Sequence, residues 1–159
     1  MSTKDFLKKI KDEDIEYVDV RFTDTRGKLQ HVTIVSDLVD EDFIEEGFMF
    51  DGSSIAGWKS IEASDMKLML DTDTAYVDPF YAEKTICVHC SIVEPDTGEA
   101  YDRDPRGTAQ KAEAYLKSSG IGDTAYMGPE AEFFLFDNVK FSNTINKVSY
   151  EVDASDASW

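Results

Sequence analysis

The sequence predicts an α+β protein: a small mixed sheet with a helix packed across it, followed by the start of a second unit. Two segments of alternating apolar and polar residues, "YVDVRFT" (17–23) and "LQHVTIV" (29–35), flank the turn "DTRGK" and read as a hairpin. An acidic amphipathic stretch and further strand-like runs follow. After "DRDP" (102–105) the pattern changes to a helix-forming stretch, which places a boundary near Asp104, between units 1–104 and 105–159.

Each element has its own signal. Thr3 caps a short helix that presents Phe6, Leu7 and Ile10 on one face. Val18, Val20 and Phe22 alternate with Asp19 and Arg21, the pattern of a half-buried strand. Gly27 supplies positive φ for the turn. Ser36 caps a helix running to Glu46, with Val39 and Phe43 one turn apart, and Gly47 stops it. "DMKLMLDTDTAYVDPF" (65–80) and "TICVHCSIVE" (85–94) are further strands, the second closed by the turn "PDTGE". Thr108 to Ser118 forms a helix with Ala112, Tyr115 and Leu116 on one stripe, ended by Gly120. "TAYMGPEAEFFLFDNVKF" (124–141) and "VSYEVDASDASW" (148–159) read as strands. A lone helix with two or three strands cannot bury the apolar surface of "FFLF", so the second unit reads as incomplete.

Composition narrows the partners. The 159 residues are 42% hydrophobic and 12% aromatic, enough for a packed core. The formal charge of -17 argues against nucleic acid or an anionic membrane as partner. The acidic run "DLVDEDFIEE" (37–46) reads as a solvated helix face. No apolar run approaches the roughly 18 residues of a membrane span, and the first residues lack a secretory core. Cys87 and Cys90 form a C-x-x-C, but on a strand an odd separation sends the thiols to opposite faces. A disulfide or shared metal is disfavoured there, and His89 reads as a packed strand residue. These signs point to a reducing, cytoplasmic setting.

Two constellations carry possible chemistry. "FMFDGSSIAGW" (48–58) sets Asp51, two serines and two glycines between the apolar groups Phe48, Met49, Phe50 and Trp58. As a structural loop, this is ordinary turn chemistry. As a functional loop, Asp51 accepts a cation or a proton while Phe50 and Trp58 exclude water. In "GPEAEFFLF" (128–136), Glu130 and Glu132 share one face of an expected strand, roughly 7 Å apart. With apolar residues on both faces, two carboxylates there need a compensating cation, and Mg²⁺ or Mn²⁺ prefers such oxygens. The alternative is a strand end at which both carboxylates reach water.

Together the two constellations resemble bacterial and archaeal type I glutamine synthetase. The family's signature is similar to Phe50-Asp51-Gly52-Ser53-Ser54, an eight-residue spacer, then Ala63-Ser64-Asp65-Met66-Lys67-Leu68, complete over nineteen residues. "DPRGTAQKAEAYL", "GPEAEFFLFD" and "YEVDASDASW" resemble the first helix and the following segments of its catalytic domain. The resemblance implies an N-terminal β-grasp domain followed by the incomplete start of a glutamine synthetase catalytic α+β domain. It also implies condensation of glutamate with ammonium at the expense of ATP, through γ-glutamyl phosphate. On the same basis Glu132 and Glu130 would bind Mg²⁺ or Mn²⁺, Glu130 being the one nearer the ATP phosphates. Asp51 would bind and deprotonate ammonium in a neighbouring subunit's site, with Ser54 and Trp58 lining the same mouth. The family assembles as a homododecamer of two hexameric rings. Most of the nucleotide site and metal ligands would lie downstream, so the 159 residues alone are expected to be inactive. Two alternatives stay open: a γ-glutamyl-amine (polyamine) ligase of the same fold, and a non-catalytic β-grasp interaction module.

Overall fold

A computed structural model describes residues 1–158 and divides them into two compact units, Met1–Thr124 and the residues from Ala125 onward. Trp159, the last residue of the final expected strand, lies outside the described residues.

The first unit is built on a five-stranded sheet. Its strands are β1 (Tyr17–Thr23), β2 (Leu29–Val35), β3 (Phe48–Asp51), β4 (Asp65–Val77) and β5 (Thr85–Val93), in the order β2-β1-β5-β4-β3. β1 and β5 run parallel, and the other neighbours are antiparallel. The expected hairpin is present, with Gly27 at φ 82° in its turn. One sheet face is apolar: Val18, Val20, Phe22, Ile86, Val88, Cys90 and Ile92 are all buried. Phe6 and Ile10 of α1 (Thr3–Asp12) and Ile44 of α2 (Glu41–Glu46) join the same core cluster.

The opposite face is polar and is buried around Asp19, so the half-buried reading of β1 is corrected at that residue. Asp19 is fully buried. Its carboxylate accepts from Arg21 Nε at 2.6 Å and from the Thr33 hydroxyl at 2.7 Å, and it lies 2.8 Å from His31 Nδ1. Arg21 reaches on to Asp78 at 3.1 Å and to the Tyr76 hydroxyl at 2.5 Å. Alternation assigned the polar residues to solvent, but pairing with Arg21 and His31 allows the Asp19 carboxylate to be buried. Burial alone would raise the Asp19 pKa; hydrogen bonds from Arg21, His31 and Thr33 outweigh it and hold the carboxyl below its ordinary value.

The third helix, α3 (Pro105–Ser119), also meets this polar face: Arg106 pairs with Asp71, and Gln110 lies 3.5 Å from the Ser91 hydroxyl. Asp104 caps it, accepting from the Arg106 N–H at 3.0 Å and from the Ile92 N–H of β5 at 3.1 Å. The helix therefore starts at Pro105, three residues before the expected Thr108, because proline at the first helical position loses no hydrogen bond. Gly120, at φ 71°, ends it as expected. Its stripe is not covered: Tyr115 is 75% exposed.

Two other caps differ from expectation. Ser2, not Thr3, caps α1, accepting from the Asp5 N–H at 3.1 Å and donating to the Asp5 carboxylate at 2.6 Å. The stretch expected as one helix from Ser36 to Glu46 is a 3₁₀ turn, Ser36–Leu38, and then α2. Asp40 accepts from the Phe43 N–H at 2.8 Å in extended conformation, and this local bond interrupts the helix.

Cys87 and Cys90 are buried free thiols, as the strand spacing implied, and burial pushes them up to about 11 and about 12. No helix among the described residues is long and apolar enough to cross a membrane.

Among its described residues the second unit contains one antiparallel hairpin, β6 (Asn138–Thr144) with β7 (Lys147–Asp153). The strand expected over "GPEAEFFLF" is absent: residues 125–136 carry no regular secondary structure. A strand exists only through hydrogen bonds to a neighbour, and no described segment pairs with this one. Phe133, Phe134 and Leu135 are 77%, 83% and 76% exposed, so the apolar run stays uncovered.

Candidate active site

The loop carrying Asp51 connects β3 to β4, and the sheet zips its base. Phe48, Met49, Phe50 and Asp51 lie opposite Leu68, Lys67, Met66 and Asp65. The Gly52 N–H donates to the Ser64 carbonyl at 2.7 Å, closing the loop just beyond that register. Only glycine fits there, since a Cβ would meet Met66 Cγ at 2.4 Å and the Ser64 carbonyl oxygen at 3.0 Å.

Asp51 Oδ1 accepts from the Ser53 hydroxyl at 2.6 Å and from the Ser53 N–H at 2.8 Å. This is local Asp-to-backbone bonding at the start of a 3₁₀ turn, Gly52–Ser54. The Ser53 hydroxyl first, and its N–H second, hold the Asp51 carboxyl below its ordinary value; the Ser64 and Ser54 hydroxyls add to the effect. Asp51 and Ser54 are both exposed. The loop thus displays a carboxylate that is an anion at neutral pH.

Trp58 is different, being only 5% exposed. Its indole lies 5.5 Å from the Phe22 ring, 6.2 Å from Phe50 and 5.4 Å from Tyr101. The Ile55 N–H donates to the Gly52 carbonyl at 3.2 Å and the Trp58 N–H to the Ile55 carbonyl at 3.1 Å, so successive turns connect Asp51 to this anchor. Trp58 fixes the loop from below, and Asp51 stands at its surface.

Glu130 and Glu132 belong to the irregular, exposed stretch of the second unit. The Phe134 and Phe136 rings stack at 6.2 Å and 13°, so residues two apart share a side at that point of the segment. Carboxylate oxygens suit Mg²⁺ or Mn²⁺ in kind, but two side chains supply a minority of the roughly six oxygens such an ion takes. Among the described residues, no three His, Cys, Asp or Glu side chains are grouped to hold a metal. The donor type fits such an ion, but these two carboxylates alone do not complete its coordination shell.

Sequence reasoning missed Ser53 as the principal partner of Asp51, although the Asp-x-Ser spacing of a local turn was there to be read. It also missed Tyr101 and Arg103. The Tyr101 hydroxyl donates to the Trp58 carbonyl at 2.9 Å, and Arg103 donates to the Gly57 carbonyl. No local pattern signals a bond between residues 43 apart.

Comparison with known proteins bears on both regions. The model of the glutamine synthetase beta-Grasp domain matches residues 14–95, and that of the glutamine synthetase catalytic domain matches 102–158. The chain belongs to the glutamine synthetase family. A glutamine synthetase of Cereibacter sphaeroides is 73% identical over 155 residues, which is 98% of this chain and 33% of that protein. A glutamine synthetase of Rhodobacter capsulatus is 68% identical over 158 residues, 99% of this chain and 36% of that one. The chain therefore spans about a third of the length of these curated relatives. A cryo-EM structure of Plasmodium falciparum glutamine synthetase shares the fold at TM-score 0.76 and 24% identity, covering 96% of this chain and 30% of that chain. Within the family frame, the Asp51 loop falls in the beta-Grasp match, and Glu130 and Glu132 fall in the catalytic-domain match.

Proposed function

We propose that the full-length protein carrying this sequence joins ammonium to glutamate with ATP, through γ-glutamyl phosphate, in the cytoplasm. The observation that carries this reading is the Asp51 loop: an exposed carboxylate, held as an anion by Ser53 and fixed over a buried aromatic cluster. A rigidly placed anion binds NH₄⁺ by charge and hydrogen bonding. A carboxyl held below its ordinary pKa holds a cation better than it takes a proton, so ammonium capture is the stronger half of the role. Once Asp51 takes one proton, the nitrogen lone pair attacks the γ-carbonyl carbon, and phosphate departs with the C–O bonding pair and takes up the second proton from nitrogen. Ser54 and Trp58 shape the mouth of the site, Ser54 at its surface and Trp58 as the anchor.

Glu130 and Glu132 would hold Mg²⁺ or Mn²⁺ through their carboxylates, and an ion bound there would supply positive charge to offset that of the transferring phosphoryl group. The ATP site and the remaining ligands belong to protein outside the 159 residues, which by themselves do not turn over. Asp51 acts in the site of a neighbouring subunit, within a dodecamer of two hexameric rings. We put the functional boundary near Asp104, between a β-grasp domain (1–104) and the start of the catalytic domain (105–159).

The test is complementation. In full-length enzyme, Asp51→Asn chains and Glu132→Ala chains are each expected to be strongly impaired, and verified mixed oligomers to regain activity beyond either alone. Mixed oligomers without activity would show that the loop serves its own subunit or serves structure alone.

A further inference from the structure

We propose that Tyr101 and Arg103 are positioning residues for Asp51, clamping the far end of its loop from the segment that leads into α3. The Tyr101 hydroxyl donates to the Trp58 carbonyl at 2.9 Å, and Arg103 Nη1 donates to the Gly57 carbonyl and lies 3.4 Å from the Trp58 carbonyl. Two side chains thus converge on two successive carbonyls, at the point where Gly57 takes φ 81° and the loop reverses. The Trp58 Nε1–H is buried without a partner among the described residues, so packing and these backbone bonds fix the indole.

The clamp is itself anchored. The Tyr101 N–H donates to the Ile92 carbonyl of β5 at 2.9 Å, and the Asp104 N–H donates to the Tyr101 carbonyl at 3.0 Å. Lys59 Nζ sits 5.3 Å over the Tyr101 ring while pairing with both Glu94 oxygens at 2.7 Å. Tyr101 is 7% exposed, so its hydroxyl has left water and depends on the Trp58 carbonyl. From β5 through Tyr101 and Trp58 to Ile55 and Gly52, a continuous set of hydrogen bonds ends beside Asp51. Arg103 lies in the catalytic-domain match, and the carbonyls it holds lie in the beta-Grasp match, so the clamp joins the two family segments within one chain.

This inference rests on the ammonium role proposed for Asp51, and its test separates the two. In the 159-residue chain, Tyr101→Phe keeps the ring and removes only the hydroxyl. Hydrogen exchange at the Ile55 and Trp58 amides is expected to quicken about tenfold, with Val20 and Val88 of the sheet core unchanged. In full-length enzyme, Tyr101→Phe and Arg103→Met are expected to raise the KM for ammonium several-fold while leaving ATP-dependent γ-glutamyl phosphate formation intact, and Arg103→Lys to recover part of the loss. Unchanged loop exchange overturns the clamp. Faster exchange with an unmoved ammonium KM overturns the positioning role, provided Asp51→Asn does raise that KM. If Asp51→Asn leaves ammonium capture intact, the functional reading fails first, and the positioning role with it.

Discussion

The Asp51 loop and the Glu130–Glu132 segment are both short acidic stretches beside aromatic residues, yet one is built and the other is not. The loop is closed by Gly52 against Ser64, anchored by Trp58, and held by Tyr101 and Arg103. The segment has exposed carboxylates, exposed phenylalanines and no ladder. The difference shows what a carboxylate needs in order to be positioned. An adjacent aromatic is insufficient; its backbone must be tied to something rigid.

Function should break the comparison most strongly, because both regions then matter equally. In the full-length enzyme, Glu130→Ala, Glu132→Ala and Asp51→Asn are each expected to lower turnover by about 10²–10⁴-fold. The glutamate variants should shift the Mg²⁺ or Mn²⁺ titration and Asp51→Asn the ammonium dependence, each without moving the other. Wild-type metal titrations for both glutamate variants would return that segment to solvent-facing polarity.

Stability should sharpen it. Trp58→Ala removes the anchor and is expected to cost about 3–5 kcal/mol in urea unfolding of the 159-residue chain. Phe134→Ala, at a ring 83% exposed, should stay within about 0.5 kcal/mol. Equal effects would mean that the segment is packed after all. Between them, Gly52→Ala forces a Cβ to within 2.4 Å of Met66 Cγ and is expected to cost about 1–3 kcal/mol.

The smallest effect is titratable. The Asp19 pKa is depressed in the folded protein, so its stabilisation is present in full above about pH 4, the unfolded value. It is lost as pH falls through the lower folded value. Asp19→Asn should therefore be less stable than the parent at neutral pH and show a flatter decline in acid. Parallel pH–stability curves would remove Asp19 from the account.

Much of the molecule is decided within a few residues of chain. The hairpin turn at Gly27, the stops at Gly47 and Gly120, and the carboxylate-rich loop after Phe50 follow from local φ preferences and side-chain chemistry, which sequence displays directly. The resemblance of 50–68 to one family's signature was legible for the same reason: it is a contiguous pattern. Other features depend on partners far along the chain. Alternation made β1 half-buried, whereas Asp78 and Tyr76, more than fifty positions away, hold a largely covered Arg21 beside the fully buried Asp19. The Asp51 loop looked self-contained, yet its far end is held by residues 101 and 103. "GPEAEFFLF" has the composition of a strand, but composition cannot supply the neighbouring backbone whose N–H and C=O groups would make it one. Local torsional preference is written residue by residue; burial and pairing are relations between distant segments, and only the tertiary structure brings those segments together.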